Sequence, residues 1–213
     1  MLPSLLLTPL ALSSRSLPPL TRRTALLLPG TPALLAPLLA HAATAPALTF
    51  SSAPSGLQWA DVKLGSGVPP APGARVAIDY VMSTTGARYG AKIDSTVERN
   101  APYTWTLGDG STIVGLEQAV AGSDDGVPPM LPGGVRRVIV PSSLAYAELA
   151  KPKPNSMQMQ DCSTGRGPIP PLVAKEGDLG YGEFQRFKNI YCNANRPYQP
   201  DLVLDVKLYG KRS

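Results

Sequence analysis

Residues 75–82, RVAIDYVM, set Val76, Ile78, Tyr80 and Met82 against Ala77, Asp79 and Val81. A period of two predicts a strand with one buried face and one face toward water. The alternation returns in YTWTL (103–107) and in LVLDVKLY (202–209), where Leu204, Val206 and Leu208 face one way. LQWADVKLGSG (57–67) and VRRVIV (135–140) read as further strands. The best helical pattern is STIVGLEQAVAG (111–122), which puts Ile113, Leu116 and Val120 on one face. Ser111 or Thr112 is positioned to cap it and Gly122 to end it, while Gly115 weakens it. Several strands, one short helix and no βαβ rhythm predict an α+β domain with an antiparallel sheet. The stretch from about 147 to 200 reads as irregular, and loops that long are commonly functional or disordered.

A chain of 213 residues has room for one ordinary domain with extensions. Residues 1–42 read as the first extension. A Ser/Leu/Pro-rich start without acids, carrying Arg15, fits an organelle transit segment. Arg22–Arg23, an apolar stretch and Ala40-His41-Ala42 then have the form of a twin-arginine export signal. Such two-part targeting resembles that of proteins bound for the chloroplast thylakoid lumen, with cleavage expected after Ala42. A bacterial export substrate with a long leader and an uncleaved anchor are the alternatives. Pro29, Gly30, Pro32 and Pro37 interrupt the apolar run and argue against a permanent membrane span. Residues 43–56 read as a flexible lead-in and 57–213 as the domain.

The three arginines of the signal account for much of the charge, because without them 17 basic residues face 15 acidic ones. No concentrated basic face points to nucleic acid. The single histidine, His41, lies in the signal. A mature chain without histidine cannot run Ser-His or Cys-His chemistry or offer a His-containing metal site. The glycine clusters GSG and GDGSTIVG lack dinucleotide or P-loop spacing. The pattern calls for no metal and no cofactor.

Six segments then fall into a known order. MLPGGVRRVIVPSSLAY (130–146) resembles the G-G-x-R…P-x-x-L-A-Y segment of FKBP-type peptidyl-prolyl isomerases. IDYVM resembles their early strand with its pocket tyrosine, and KIDST their F-D-S-S motif. PYTWTLGDGSTIVGLEQAV resembles the P-F-x-F-x-L-G strand followed by the V-I-x-G-W-E helix. GPIPP (167–171) is similar to their I-P-P tip and LVLDVKL to their closing strand. The resemblance implies an antiparallel sheet of about five strands curved over one short helix, with enlarged flap loops around 147–200.

It also implies a shallow apolar pocket that accepts proline-containing peptide segments. Asp94 and Tyr146 take the catalytic positions. Tyr80, Ile93, Tyr103 and Thr112 take substrate-binding positions, as do Ile113, Leu116, Ile169 and Leu204. By that likeness the Tyr146 hydroxyl and the Ile113 N–H hold substrate carbonyls, and Asp94 polarises or orients the rim. Ile169 leans over the rim while Pro168, Pro170 and Pro171 stiffen the flap. On the residues alone, Tyr80 and Tyr103 fit ordinary sheet tyrosines, Asp94 a turn or cap residue, and Ile113 and Leu116 plain core. The family's tryptophan floor is Leu116 here, and two pocket phenylalanines are Ile93 and Leu204. The family valine is Thr112, and the glycine after the motif tyrosine is Ala147. Fewer aromatic walls imply a weaker grip on a proline ring.

Relative to the family's compact form, residues are added on both sides of the I-P-P tip. Cys162 lies in one addition and Cys192 in the other. In an oxidising compartment they can close the flap as a disulfide; two free thiols are the alternative. YGEFQRFKNIYCNANRPYQPD (181–201) is aromatic and mildly basic, suited to packing back on the domain or to a partner surface. Two functions stay open: a lumenal prolyl isomerase, and an isomerase-like binding module that assists assembly of a thylakoid complex.

Overall fold

The computed structural model describes residues 47–85, 92–150, 162, 165–172, 176–178, 180–193 and 198–210. Residues 1–42, read from the sequence as a targeting signal, lie outside the described residues.

The alternation of residues 75–82 becomes the ten-residue strand β3 (Arg75–Thr84), with Val76, Ile78, Tyr80 and Met82 buried. Around it one antiparallel sheet is built from β1 (Ser51–Ser52), β2 (Gln58–Lys63), β4 (Lys92–Ser95), β5 (Tyr103–Thr106), β6 (Val135–Val140) and β7 (Leu202–Leu208). The order is β1-β2-β6-β7-β3-β4, and β5 also pairs with β3. One edge of β3 takes β7 along Ile78–Thr84; the other is shared by β5 at Arg75–Ile78 and β4 at Val81–Ser83. The sheet therefore has seven strands among the described residues rather than about five. The two-residue β1 and four-residue β4 are too short to show a period of two. β1 also falls within the stretch read as a lead-in.

The predicted helix is α2 (Val114–Ala121), with Leu116 and Val120 fully buried and Gly122 (φ 83°) closing it through its N–H to the Gln118 carbonyl. Its N-cap is Ile113, without a side-chain cap bond. Neither predicted cap serves, because both hydroxyls are committed elsewhere: Ser111 Oγ donates to Asp109 at 2.6 Å, and Thr112 Oγ1 shares a 2.7 Å hydrogen bond with the Tyr103 hydroxyl. Gly115 has a packing reason that outweighs its low helix propensity. A Cβ there would lie 2.2 Å from Val140 Cγ1, so α2 closes on β6 through a bare backbone. Gly115→Ala is expected to cost about 1–3 kcal/mol by overpacking. The check is a lower urea midpoint with an unchanged m-value.

One helix is too few. Thr96–Arg99 forms a short α1, and the stretch read as irregular contains α3 (Tyr181–Tyr191). Phe184, Phe187 and Tyr191 are buried at spacings of three and four, the stripe of an amphipathic helix. That stripe is hard to read in a short segment with Gly182 near its start and polar residues over the rest of its surface. The segment packs back on the domain, against β4 and the single turn at Ala147–Ala150. α3 ends at Cys192, which is disulfide-bonded to Cys162 with Cα atoms 6.0 Å apart. Cross-links closing loops of this size stabilise by about 2–4 kcal/mol, chiefly by restricting the unfolded chain. Among the described residues no helix is long and apolar enough to cross a membrane.

Candidate functional site

The inward faces of β3, β4 and β7 bring Tyr80, Ile93 and Leu204 into the same buried cluster as Ile113 and Leu116 from α2 and its entry. Tyr103 of β5 and Ile169 of the flap are partly buried against that cluster. Leu116, Leu204 and Asp94 each have 0 % exposure.

Asp94 is the charged centre of this region. Its Oδ2 accepts the Tyr80 hydroxyl at 2.5 Å and its Oδ1 accepts the Arg99 guanidinium, which also donates to the Tyr80 oxygen at 3.3 Å. A carboxylate in a dry interior is costly without such a partner. α1 supplies it: the single helical turn after β4 folds Arg99 back over Asp94. Sequence reading missed Arg99, and the signal that could have found it is the need of a buried Asp for a nearby cation. Burial pushes the Tyr80 hydroxyl pKa up, with Arg99 pulling the other way.

Tyr103 stacks on Trp105 (centroids 5.4 Å apart), meets Tyr80 edge-on at 6.3 Å and bonds Thr112. The threonine that departs from the family's valine thus gives this half-buried hydroxyl a partner. Desolvation raises the Tyr103 pKa. Below it, Glu117 of α2 accepts the Trp105 indole N–H at 2.6 Å and the Gly108 N–H at 2.7 Å, locking β5 to the helix.

Tyr146 is buried, and its ring lies against Phe187 and Tyr191 of α3, each 4.8 Å away between centroids. Gln199 Nε2 donates to the Tyr146 carbonyl at 3.1 Å and to the Tyr191 carbonyl at 2.7 Å. Burial drives the Tyr146 pKa far up, so its hydroxyl is a fixed neutral donor. Phe187, Tyr191 and Gln199 are neighbours that sequence reasoning did not assign, because they come from the added segment.

The flap runs past these groups. The Ile113 N–H donates to the Gly167 carbonyl at 2.8 Å, and the Gly167 N–H donates to the Ser111 carbonyl at 2.8 Å. The Tyr146 hydroxyl donates to the Pro168 carbonyl. Pro168 and Pro170 are buried, while Ile169 between them is half-buried. Ile169, flanked by these prolines, packs against the core cluster while staying only partly buried. The region therefore combines apolar walls, two fixed neutral donors and an internally paired carboxylate. That set can bind a peptide and exclude water; it offers no evident nucleophile or proton shuttle. Among the described residues no three His, Cys, Asp or Glu side chains cluster as a metal site.

Residues 67–208 match the model of the family described as FKBP-type peptidyl-prolyl cis-trans isomerase. The chain is 34% identical over 132 residues to Peptidyl-prolyl cis-trans isomerase FKBP13, chloroplastic, of Arabidopsis thaliana, covering 62% of this chain and 57% of that protein. It is 37% identical over 120 residues to Photosynthetic NDH subunit of lumenal location 4, chloroplastic, of the same plant, covering 55% of this chain and 51% of that protein. The chain thus spans little more than half the length of these curated relatives. The crystal structure of AtFKBP13 superposes with a TM-score of 0.50 at 27% identity, covering 77% of this chain and 99% of that one.

Proposed function

The chain belongs to the FKBP-type peptidyl-prolyl cis-trans isomerase family, and from that premise we propose that it isomerises X-Pro peptide bonds of client proteins in the chloroplast thylakoid lumen. The uncatalysed rotation faces a barrier of about 18–20 kcal/mol because it breaks amide resonance. The twisted amide is less delocalised and less polar than the planar one. A water-excluding apolar hollow therefore disfavours the planar state more, which lowers the barrier by differential binding. Tyr146 and the Ile113 N–H hold the flanking carbonyls. Asp94 acts through Tyr80 as a positioning residue, because its oxygens are taken up by Tyr80 and Arg99. Tyr103, Thr112, Ile93, Leu116 and Leu204 form the walls, with Ile169 at the edge.

The observation that carries this reading is that Ile113 and Tyr146 already hold two consecutive peptide carbonyls, those of Gly167 and Pro168. The location rests on the two-part signal of residues 1–42 and on the chloroplastic names of the relatives. A second reading, a binding module for a photosynthetic complex, draws on the relative named as an NDH subunit and on the loss of aromatic walls at Ile93, Leu116 and Leu204.

The full-length chain is expected to accelerate cis-to-trans conversion of a short X-Pro peptide. Tyr146→Phe should lower kcat/KM by about 2–10-fold, the worth of one hydrogen bond of roughly 0.5–1.5 kcal/mol. Acceleration that Tyr146→Phe leaves untouched would remove the assigned role of Tyr146. A wild type without acceleration would leave the binding module as the better account.

A further inference from the structure

Gly167 is partly buried beside Thr112 and Ile113 at the entry to α2. It pairs with Thr112 in a parallel bridge, and its N–H and C=O bond Ser111 and Ile113 on either side. A Cβ at this position would sit 2.5 Å from the Tyr103 hydroxyl oxygen and 3.1 Å from its ring. Tyr103 cannot yield cheaply, being bonded to Thr112 and stacked on Trp105. Only a residue without a side chain lets the loop approach this closely. The adjoining Pro168 is buried, and its carbonyl receives the Tyr146 hydroxyl. The loop is held from behind as well. α3 braces the Tyr146 ring, and the Cys162–Cys192 bridge ties the chain ahead of the loop to the end of α3.

Both donors assigned to substrate carbonyls are therefore engaged by successive carbonyls of the chain's own Gly-Pro segment. We propose that Gly167–Pro168 is a built-in occupant of the hollow, an intramolecular mimic of an X-Pro substrate that must swing out before a client segment can enter. This rests on the isomerase reading of the site for its functional meaning. It does not rest on it for the contacts themselves. The loop competes at the effective concentration of a tethered ligand. Apparent affinity for an external peptide falls by the fraction of molecules in which the loop is displaced.

The test uses the full chain with two readouts: hydrogen exchange of the Ile113 amide, and the cis-to-trans rate of an X-Pro tetrapeptide. Gly167→Ala forces a Cβ against Tyr103 and is expected to expel the loop. Ile113 exchange should then quicken, and kcat/KM should rise, each by about tenfold. Pro168→Ala removes the buried ring without introducing a clash, so it should shift both readouts in the same direction and carries the test if Gly167→Ala does not fold. Unchanged Ile113 exchange in both variants, with a wild type that accelerates the reaction, overturns the occupant and leaves the isomerase reading standing. Faster exchange without any acceleration in wild type or variants supports the occupant and overturns the isomerase reading. Faster exchange with acceleration equal to the wild type overturns the competition.

Discussion

Replacing Arg136 with alanine is expected to destabilise the domain by about 3–5 kcal/mol, a large share of the ~5–15 kcal/mol that holds a domain of this kind. Arg136 is 2 % exposed and sits on β6 at the junction of three elements. Its Nε and Nη2 grip both oxygens of Asp61 on β2 at 2.7 and 3.0 Å. Its Nη1 donates to the Ala119 carbonyl at 2.8 Å and to the Pro128 carbonyl at 2.7 Å. Alanine would strand the buried Ala119 carbonyl, remove the donor to the Pro128 carbonyl, free the Asp61 carboxylate and open a void where the guanidinium lay. Lysine keeps the charge but not the planar fork, so Arg136→Lys should recover only part of the loss. Urea unfolding at neutral pH measures both. A loss under about 1 kcal/mol for Arg136→Ala would mean that solvent or repacking replaces these bonds.

Arg99→Ala should cost a similar ~3–5 kcal/mol for a different reason. Asp94 has no exposed side-chain surface, and Arg99 is the cation bonded to it. Without that cation Asp94 is a carboxylate in a dry interior, with Tyr80 as its remaining hydrogen-bond partner among the described residues. The defect is the stranded charge and not the missing arginine itself. Adding Asp94→Asn to Arg99→Ala should therefore restore much of the stability, although Asp94→Asn alone is destabilising. Coupling between contacting residues of about 0.5–3 kcal/mol is the expected result of the double-mutant cycle. Simple additivity would show that Arg99 stabilises through its packing and that Asp94 is hydrated when it leaves. The same pair anchors the Tyr80 hydroxyl, so isomerisation measured on the folded fraction reports whether the network also positions the hollow.

The sheet was legible because its evidence is local. A period of two in RVAIDYVM and LVLDVKLY specifies which side chains face the core, whatever strand lies alongside. The order of short motifs likewise carried the family and named Tyr80, Asp94, Ile113 and Tyr146 before any contact was seen. The cysteine pair was readable from its placement on both sides of the I-P-P tip. α3 was less legible, since its apolar stripe is short and its polar face reads like a loop. Its meaning comes from Tyr146, 41 positions before Phe187 in the chain. Arg99, Gly115 and Arg136 illustrate the same limit. Their roles are set by Asp94, Val140 and the Ala119 and Pro128 carbonyls, partners named by no spacing rule.

What the amino-acid order by itself determined is the long strands, the helix α2, the family and the residue types available to the hollow. What the tertiary structure alone decided is which of those residues are already spoken for. Hydrogen-bond donors and buried charges are satisfied by whatever chain folding brings within about 3 Å, and that proximity is not written in local sequence. The segment GPIPP looked like a stiff rim; in three dimensions the Gly167 and Pro168 carbonyls accept from Ile113 and Tyr146, the two donors proposed to hold a client.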